Sequence, residues 1–559
     1  MVRQFFTVFH KEWSGLHEAA YLLGLFAFLS QVLALFRDRL LAGSFGAGAN
    51  LDIYYTAFRI PDFLYIAVAS LVSVTVLVPF FIKHLETENT GSAKKFINDV
   101  FTVFFLVLVG VSIVTFLLMP WLVKLIAPGF LSSQHETLIF LSRVLLLSPL
   151  LLGLSNLFGS ITQSYRQFFV YALSPILYNI GIIVGIIFWS PAHGIAGVVY
   201  GVLLGALLHL LVQIPAVAKK GLLPSFSFRI NLQEIKEVTL LSLPRTFVLS
   251  TQQLIMIIFL ALASLLGEGA ISVLKFSFNL QSVPLSIIGV SYSVAAFPTL
   301  AQLFSNGDKE AFAKQIMVAA KHIIFWSLPV LVLFIVLRAQ IVRSVLGTGA
   351  FGWTETRLTA AALALFAVSI VAQSLVFLFV RGYYASNHTQ KPVIINSVAA
   401  IITVALAFFL LKFFEANNFF RFFVEDLFRV SDVAHTSVLM LPLAFSIGSI
   451  VNALLFWVIF KKDFPAFSMS MAYSLYHSFA GSVAMGFVAY QMLGVLDNFF
   501  DVTTFWGILL QGFFAGVAGI IVGVCLLYVL ENKEVREIWE SFHHKFWKAK
   551  VVAPDQPEL

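Results

Sequence analysis

Charge is scarce in this sequence, and the scarcity excludes most soluble folds. Only 11% of its 559 residues are Asp, Glu, Lys or Arg, where a soluble domain carries about 25%. Cysteine is nearly missing. The single Cys525 excludes an intramolecular disulfide and any multi-cysteine metal cluster, and its apolar surroundings read as packing. There is no Walker loop, so ATP hydrolysis by this chain is excluded. No HExxH pair and no close His/Asp/Glu set has the spacing of metal ligands. The His residues fall singly, apart from His543-His544, and read as surface or interfacial groups. Neither a metal nor a cofactor is therefore expected. The net charge of +7 is distributed as membrane topology requires, which argues against a nucleic-acid partner.

What fills the space is hydrocarbon. The chain is 60% hydrophobic with a mean hydropathy of +0.94. Its apolar runs reach about 20 residues and do not alternate, so they span a bilayer as helices and not as a barrel. The expected spans are 20–42, 60–82, 98–124, 137–160, 169–190, 194–217, 239–264, 273–304, 320–342, 357–380, 392–413, 437–460, 472–494 and 504–530. The expected fold is an all-α polytopic membrane protein of about 14 transmembrane helices, with two pseudo-symmetric six-helix lobes plus two C-terminal helices. The domains divide as an amphipathic cytoplasmic segment 1–19, an N-lobe 20–218, a cytoplasmic linker 219–238, a C-lobe 239–460, a helix pair 461–530 and a cytoplasmic tail 531–559. The C-lobe carries an outer insertion at 415–435, dense in Phe with charges between, that reads as an amphipathic surface helix. No cleavable leader is read at the N-terminus. Well over half of the 35 Lys and Arg fall in alternate loops, which places both termini in the cytoplasm.

The halves look related. Phe45-Gly46-Ala47-Gly48-Ala49 precedes the second span and Leu266-Gly267-Glu268-Gly269-Ala270 the eighth. Pro61 and Pro284 follow at similar distances, and Pro79 and Pro298 close the two spans. Matching pieces six spans apart keep their orientation. Two parallel lobes around an axis along the membrane normal is a transporter arrangement.

Six charges crowd residues 37–62: Arg37, Asp38, Arg39, Asp52, Arg59 and Asp62. One Arg or Asp near a bilayer centre costs roughly 2.5–3.5 kcal/mol. Such groups either lie near an interface or pair inside a wet interior, and the second reading is taken for Arg37 and Arg59. With Arg245 and Lys275 they outnumber the acidic companions Asp38, Asp52 and Asp62, which suits an anionic substrate held by guanidinium forks. Arg245 follows Pro244 inside a span, where a gate and a plain kink are equally open. Gln31, Asn156, Gln163, Asn179, Gln252, Gln253, Asn279, Gln281 and Gln373 are polar positions within spans. Some line a cavity, and others bond helix to helix.

At these residues the chain resembles the MviN/MurJ family of lipid II flippases, within the multidrug/oligosaccharidyl-lipid/polysaccharide exporter superfamily. The best stretch is RDRLLAGSFGAGANLDIYYTAFRIPDFL, residues 37–64. There Arg37, Asp38, Phe45, Gly46, Ala47, Gly48, Asp52, Ala57, Phe58, Arg59, Ile60, Pro61 and Asp62 match the family signature. Ala127-Pro128-Gly129-Phe130, Ser174-Pro175-Ile176-Leu177-Tyr178-Asn179 and the stretch from Val283-Pro284 to Pro298-Thr299-Leu300 are further family-like pieces. The resemblance implies a bacterial inner-membrane flippase that moves lipid-linked peptidoglycan precursor to the outer leaflet by alternating access, without covalent chemistry. It implies pyrophosphate binding by Arg37 and Arg59, ion pairing by Asp38, Asp52 and Asp62, and an outer gate shaped by Gly46, Gly48, Pro61 and Pro284. Coupling to an ion gradient or to the membrane potential is expected, and the sequence does not choose between them. Membrane lipids and other cell-wall synthesis proteins are the further partners implied.

The chain departs from the family at Gln31, Tyr65, Ile66, Ser70, Leu71 and Phe278-Asn279, where three cavity arginines are missing. Arg245 and Lys275 are the candidate replacements, with Gln31, Gln252, Gln253 and Asn279 as neutral lining. The departures keep two alternatives open: export of another polyprenyl-linked glycan or anionic amphiphile, and a non-transporting scaffold for wall assembly.

Overall fold

In a computed structural model, residues 16–69, 74–87, 90–467, 472–532 and 534–535 are described. Regular structure among them is helical throughout. The helices are α1 (Leu16–Phe45), α2 (Ala49–Ala57), α3 (Arg59–Ala69), α4 (Val74–Thr87), α5 (Thr90–Ile126), α6 (Ser132–Leu145), α7 (Leu147–Ser164), α8 (Phe168–Val184), α9 (Ser190–His193), α10 (Ile195–Leu211), α11 (Ile214–Lys219) and α12 (Leu232–Ser264). There follow α13 (Ala270–Leu285), α14 (Ser291–Ser305), α15 (Lys309–Val336), α16 (Arg338–Leu346), α17 (Trp353–Ala367), α18 (Ile370–Ala385), α19 (Gln390–Ala416), α20 (Asn418–Phe428), α21 (Met440–Asp463), α22 (Ala472–Leu496) and α23 (Phe505–Val529). Each expected span falls on one helix or on a broken pair, apart from residues 70–73, which lie outside the described residues. So do residues 1–15 of the expected N-terminal segment and the tail beyond 535.

Among the described residues, 10 helices are long and apolar enough to cross a membrane, or 11 if α17 and α18 count as one span. The second expected span falls on α3 and α4, on either side of residues 70–73, and the seventh falls on the single helix α12. The insertion at 415–435 does hold an amphipathic helix, α20. Phe419, Phe422, Phe423 and Leu427 are exposed on it, whereas Val424 and Glu425 are buried. The Arg357 guanidinium pairs with Asp432 beside this helix and holds its carboxyl below the ordinary carboxylate range.

The chain forms two compact units: Met1–Val283 with Val345–Phe366 and Thr389–Ser449, and Pro284–Ser344 with Ala367–His388 and Ile450–Leu559. In the first, α8 and α10 pack backbone to backbone. A Cβ on Gly201 would lie 2.6 Å from the Gly185 Cα, and one on Gly181 would lie 2.3 Å from the Gly205 Cα. Lipid gives apolar side chains no reason to cluster, so close contact between small residues supplies the association through dispersion. The second unit has an aromatic core. Phe312, Phe379, Phe456, Phe460 and Phe467 are fully buried, with Phe460 and Phe464 centroids 4.7 Å apart. Within it the Tyr383 hydroxyl donates to Asp463 at 2.8 Å. A buried phenol needs such an acceptor.

The glycine seam makes a testable difference. Gly201→Ala forces α8 and α10 apart, and overpacking of this kind costs about 1–3 kcal/mol. Gly110, in α5, has nothing within 4 Å of an added Cβ, so Gly110→Ala gains helix propensity instead. Thermal unfolding in detergent is expected to show a lower Tm for Gly201→Ala and an equal or higher one for Gly110→Ala.

Candidate functional site

Arg37 lies in the last third of α1, inside a span, and its guanidinium must find acceptors in the protein. Its Nε and Nη2 donate to Asp38 Oδ1 at 3.1 and 2.8 Å, and its Nη1 donates to Asn179 Oδ1 at 3.0 Å. Asn179, on α8, is oriented in turn by donating to Ser30 Oγ and to the Pro175 carbonyl. The second oxygen of Asp38 accepts from Asn279 Nδ2 of α13 at 2.9 Å. One hydrogen-bonded chain thus runs Ser30, Asn179, Arg37, Asp38, Asn279 and joins three helices. A guanidinium carries five N–H donors. Three are used here, so two remain for a ligand or water.

Lys275 stands within electrostatic range of this pair and of Arg59 and Asp62, which interact with each other, and Tyr54, Tyr55 and Tyr178 are close enough to Arg37 to interact with it. Arg59 is only 6% exposed, and its buried Nε has no hydrogen-bond partner. Lys275 makes no side-chain hydrogen bond among the described residues, and its ammonium lies 6.0 Å from the Phe278 ring centroid. A buried cation without an acceptor is strongly unfavourable. Arg37, Arg59 and Lys275 thus keep N–H donors without a protein acceptor among the described residues.

Several expectations are corrected. Asp52 does not pair with an arginine. Its carboxylate accepts from Gly269 N at 2.7 Å, Ser272 N at 2.8 Å and Ser272 Oγ at 2.6 Å, and so ties α2 to the first turn of α13. The free N–H groups of a helix start attract a carboxylate as well as a guanidinium does. Asp62 makes no ion pair or side-chain hydrogen bond among the described residues, although Arg59 and Lys275 are near. Gly46 has φ +64°, and a Cβ there would meet the Ala350 carbonyl at 2.9 Å. Gly48 is extended and roomy, with only the Phe45 carbonyl at 3.9 Å, so it does not set the tight contact. Pro61 sits in the first turn of α3, where its missing N–H accounts for the break at Phe58. Pro284 ends α13 just before a π turn, Ser286–Val290.

Gln252 is exposed, and Gln31 and Gln253 are half-buried, with no hydrogen bond tying them to the cluster. The Arg245 side chain lies outside the described residues. Among the described residues, no group of three or more His, Cys, Asp and Glu could hold a metal ion.

The two glycine turns meet each other. A Cβ on Gly269, at φ +84°, would lie 2.3 Å from the Ala47 carbonyl, and Ala350 N donates to the Gly43 carbonyl at 2.9 Å. Ser272 was missed in the sequence. It stands 220 positions from Asp52, and a serine after a glycine turn carries no signal of its partner.

Asp52→Ala is expected to lower stability by about 1.5–3 kcal/mol, because it strips hydrogen bonds to a charged acceptor. Gly46→Ala is expected to destabilise through its φ and its contact with Ala350, and Gly48→Ala to leave stability unchanged. Thermal unfolding of the three variants beside the natural chain checks the order.

The family model described as Lipid II flippase MurJ matches residues 41–510. The probable lipid II flippase MurJ of Rhizobium tropici is 28% identical over 391 residues, 68% of this chain and 73% of the relative. The lipid II flippase MurJ of Burkholderia cenocepacia is 25% identical over 386 residues, 68% of this chain and 75% of the relative. A solved lipid II flippase MurJ in an inward closed conformation superposes with a TM-score of 0.72 at 22% identity, over 93% of this chain and 100% of that one. An inward-facing MATE family transporter of the MOP superfamily reaches 0.61 at 15% identity, over 79% and 96%. These structural likenesses establish the fold of a multi-pass membrane protein. With the family match covering most of its length, the chain belongs to the lipid II flippase MurJ family.

Proposed function

We propose that this chain translocates lipid II, the lipid-linked peptidoglycan precursor, from the inner to the outer leaflet of the bacterial inner membrane by alternating access. The observation that carries the reading is the set of vacant cationic donors: two N–H groups of Arg37, the orphaned Nε of Arg59 and the ammonium of Lys275. A pyrophosphate offers several acceptor oxygens in a small volume, and guanidinium forks match them. Arg37 is the fixed contact, because Asp38 and Asn179 hold it. Arg59 and Lys275 have no hydrogen-bonded anchor among the described residues, so they are free to follow the anion.

Asp38 orients Arg37, and Asn279 orients Asp38. Asp52 and the Gly46 turn serve the gate and not the phosphate. With both termini in the cytoplasm, the turns at 43–48, 266–272 and 348–350 lie on the outer side, and their mutual packing is the closed outer gate. No covalent step is involved. The driving force is an ion gradient or the membrane potential acting on the charged complex.

The test is flipping of fluorescent lipid II in proteoliposomes. Arg37→Ala is expected to slow flipping by about tenfold or more, equivalent to ~1.4 kcal/mol of lost binding or transition-state stabilisation. Asn179→Ala, which removes one of the three hydrogen bonds on Arg37, is expected to slow it by a few-fold. Movement of a different anionic polyprenyl lipid, with lipid II left in place, would overturn the substrate assignment. Equal rates for the natural chain and Arg37→Ala would overturn the site.

A further inference from the structure

The segment between α11 and α12 is a strap pinned along its inner edge. Ser225 N donates to Asn98 Oδ1 at 2.9 Å, Ser227 N to Thr102 Oγ1 at 2.8 Å and Asn231 N to Asp99 Oδ2 at 3.0 Å, all three acceptors lying on α5. The Phe226 ring sits 5.2 Å from Phe101 and 5.7 Å from Phe105. Just beyond the strap, Glu234 meets the His84 Nε2 at 2.5 Å. The backbone is therefore well satisfied, yet Phe228 is 98% exposed and Leu232 is 70% exposed. A Phe left wholly bare on an anchored backbone is not explained by packing within the chain.

The surroundings say what covers it. Leu232, Leu240, Leu243, Phe247 and Leu254 are exposed at helical spacing along α12, so the stripe that enters the apolar part of this helix begins at the strap. Lys236 lies on the same stripe, one turn after Leu232. The Cα–Cβ bonds of a helix tilt toward its N-terminus, which here is the side of the strap. Lys219, Arg229 and Lys236 are exposed and have no ion-pair partner among the described residues, whereas Lys220 is held 4.3 Å over the Tyr165 ring. Glu237 is the exposed acid nearby, so the surface stays positive.

We propose that residues 219–236 form a docking surface for the anionic phospholipid headgroups of the bilayer. Phe228 and Leu232 seat at the boundary of headgroups and acyl chains, and Lys219, Arg229 and Lys236 bind lipid phosphates. Aromatic wedges flanked by basic residues are the chemistry that holds such a surface. The occupant is lipid and not a soluble acidic protein, because the apolar stripe is continuous with a face that already enters the membrane. Pinned to α5 and continuous with α12, the strap sets the height at which both helices sit against the headgroups.

The test uses the full chain in nanodiscs with about 30% phosphatidylglycerol in phosphatidylcholine. Cys525→Ser removes the natural thiol, Phe228→Cys carries a bimane label, and bromine is placed on either lipid at equal mole fraction. Brominated phosphatidylglycerol is expected to quench about twofold more than brominated phosphatidylcholine, and Arg229→Gln with Lys236→Gln to abolish the difference. Aqueous iodide is expected to quench this label much less than one at Gly307→Cys, an exposed turn. Iodide quenching equal to that at Gly307→Cys would place Phe228 in water and overturn the proposal. Equal quenching by the two brominated lipids would overturn the anionic preference.

Discussion

Asp38 is the group on which the charged centre depends. Neighbours in sequence on a helix do not face each other, so the Arg37 guanidinium must fold back to reach it. In doing so it uses Nε and Nη2 on a single oxygen, Oδ1. That leaves Oδ2 for Asn279 on α13, while Nη1 of Arg37 reaches Asn179 on α8. A pair formed by adjacent residues thereby fixes the spacing of three helices. Removing one member of a buried pair costs about 3–5 kcal/mol, because the other is left charged and alone. The same pair that binds the helices also aims the two spare donors of Arg37.

The other end of the same stretch does different work with the same residue types. Asp52 is buried too, yet it is satisfied by backbone and hydroxyl donors of α13 and not by a cation. Between Asp38 and Asp52 lies the turn whose Gly46 accepts a left-handed backbone against Ala350. Residues 37–62 therefore hold two of the three cations and one side of the packing between the helix ends. Both contacts land on α13, Asp52 at its first turn and Asp38 near Asn279. A shift of α13 cannot leave either one unchanged, so the two contacts are mechanically coupled.

The sequence disclosed the fold and the membership of the cluster for one reason: charge is expensive inside a bilayer. Arg37, Asp38, Arg59, Asp62 and Lys275 stood out in apolar runs, and they gather. The roles were less legible. An aspartate near a glycine turn reads equally well as an arginine partner or as a helix-start acceptor, and only the fold brings Ser272 to Asp52. Gly48 looked like Gly46, because composition does not reveal which glycine of a turn takes a positive φ. Pro61 looked like a gate, because a proline that starts a helix and one that kinks it are the same letter.

Neutral amides at the two flanks of the Arg37–Asp38 pair complete the argument for an anion site. A second carboxylate in place of Asn179 would share Arg37 and quench its pull on a phosphate. An apolar residue there would leave Nη1 without an acceptor and let the fork swing. Asn179 accepts from Arg37 with its oxygen and donates to Ser30 and Pro175 with its nitrogen. It therefore fixes the direction of the guanidinium without setting a second carboxylate beside Asp38. Asn279 does the converse for Asp38, filling Oδ2 without adding a cation that would draw the carboxylate off Arg37. The two amides thus orient the ion pair without adding charge to either side of it.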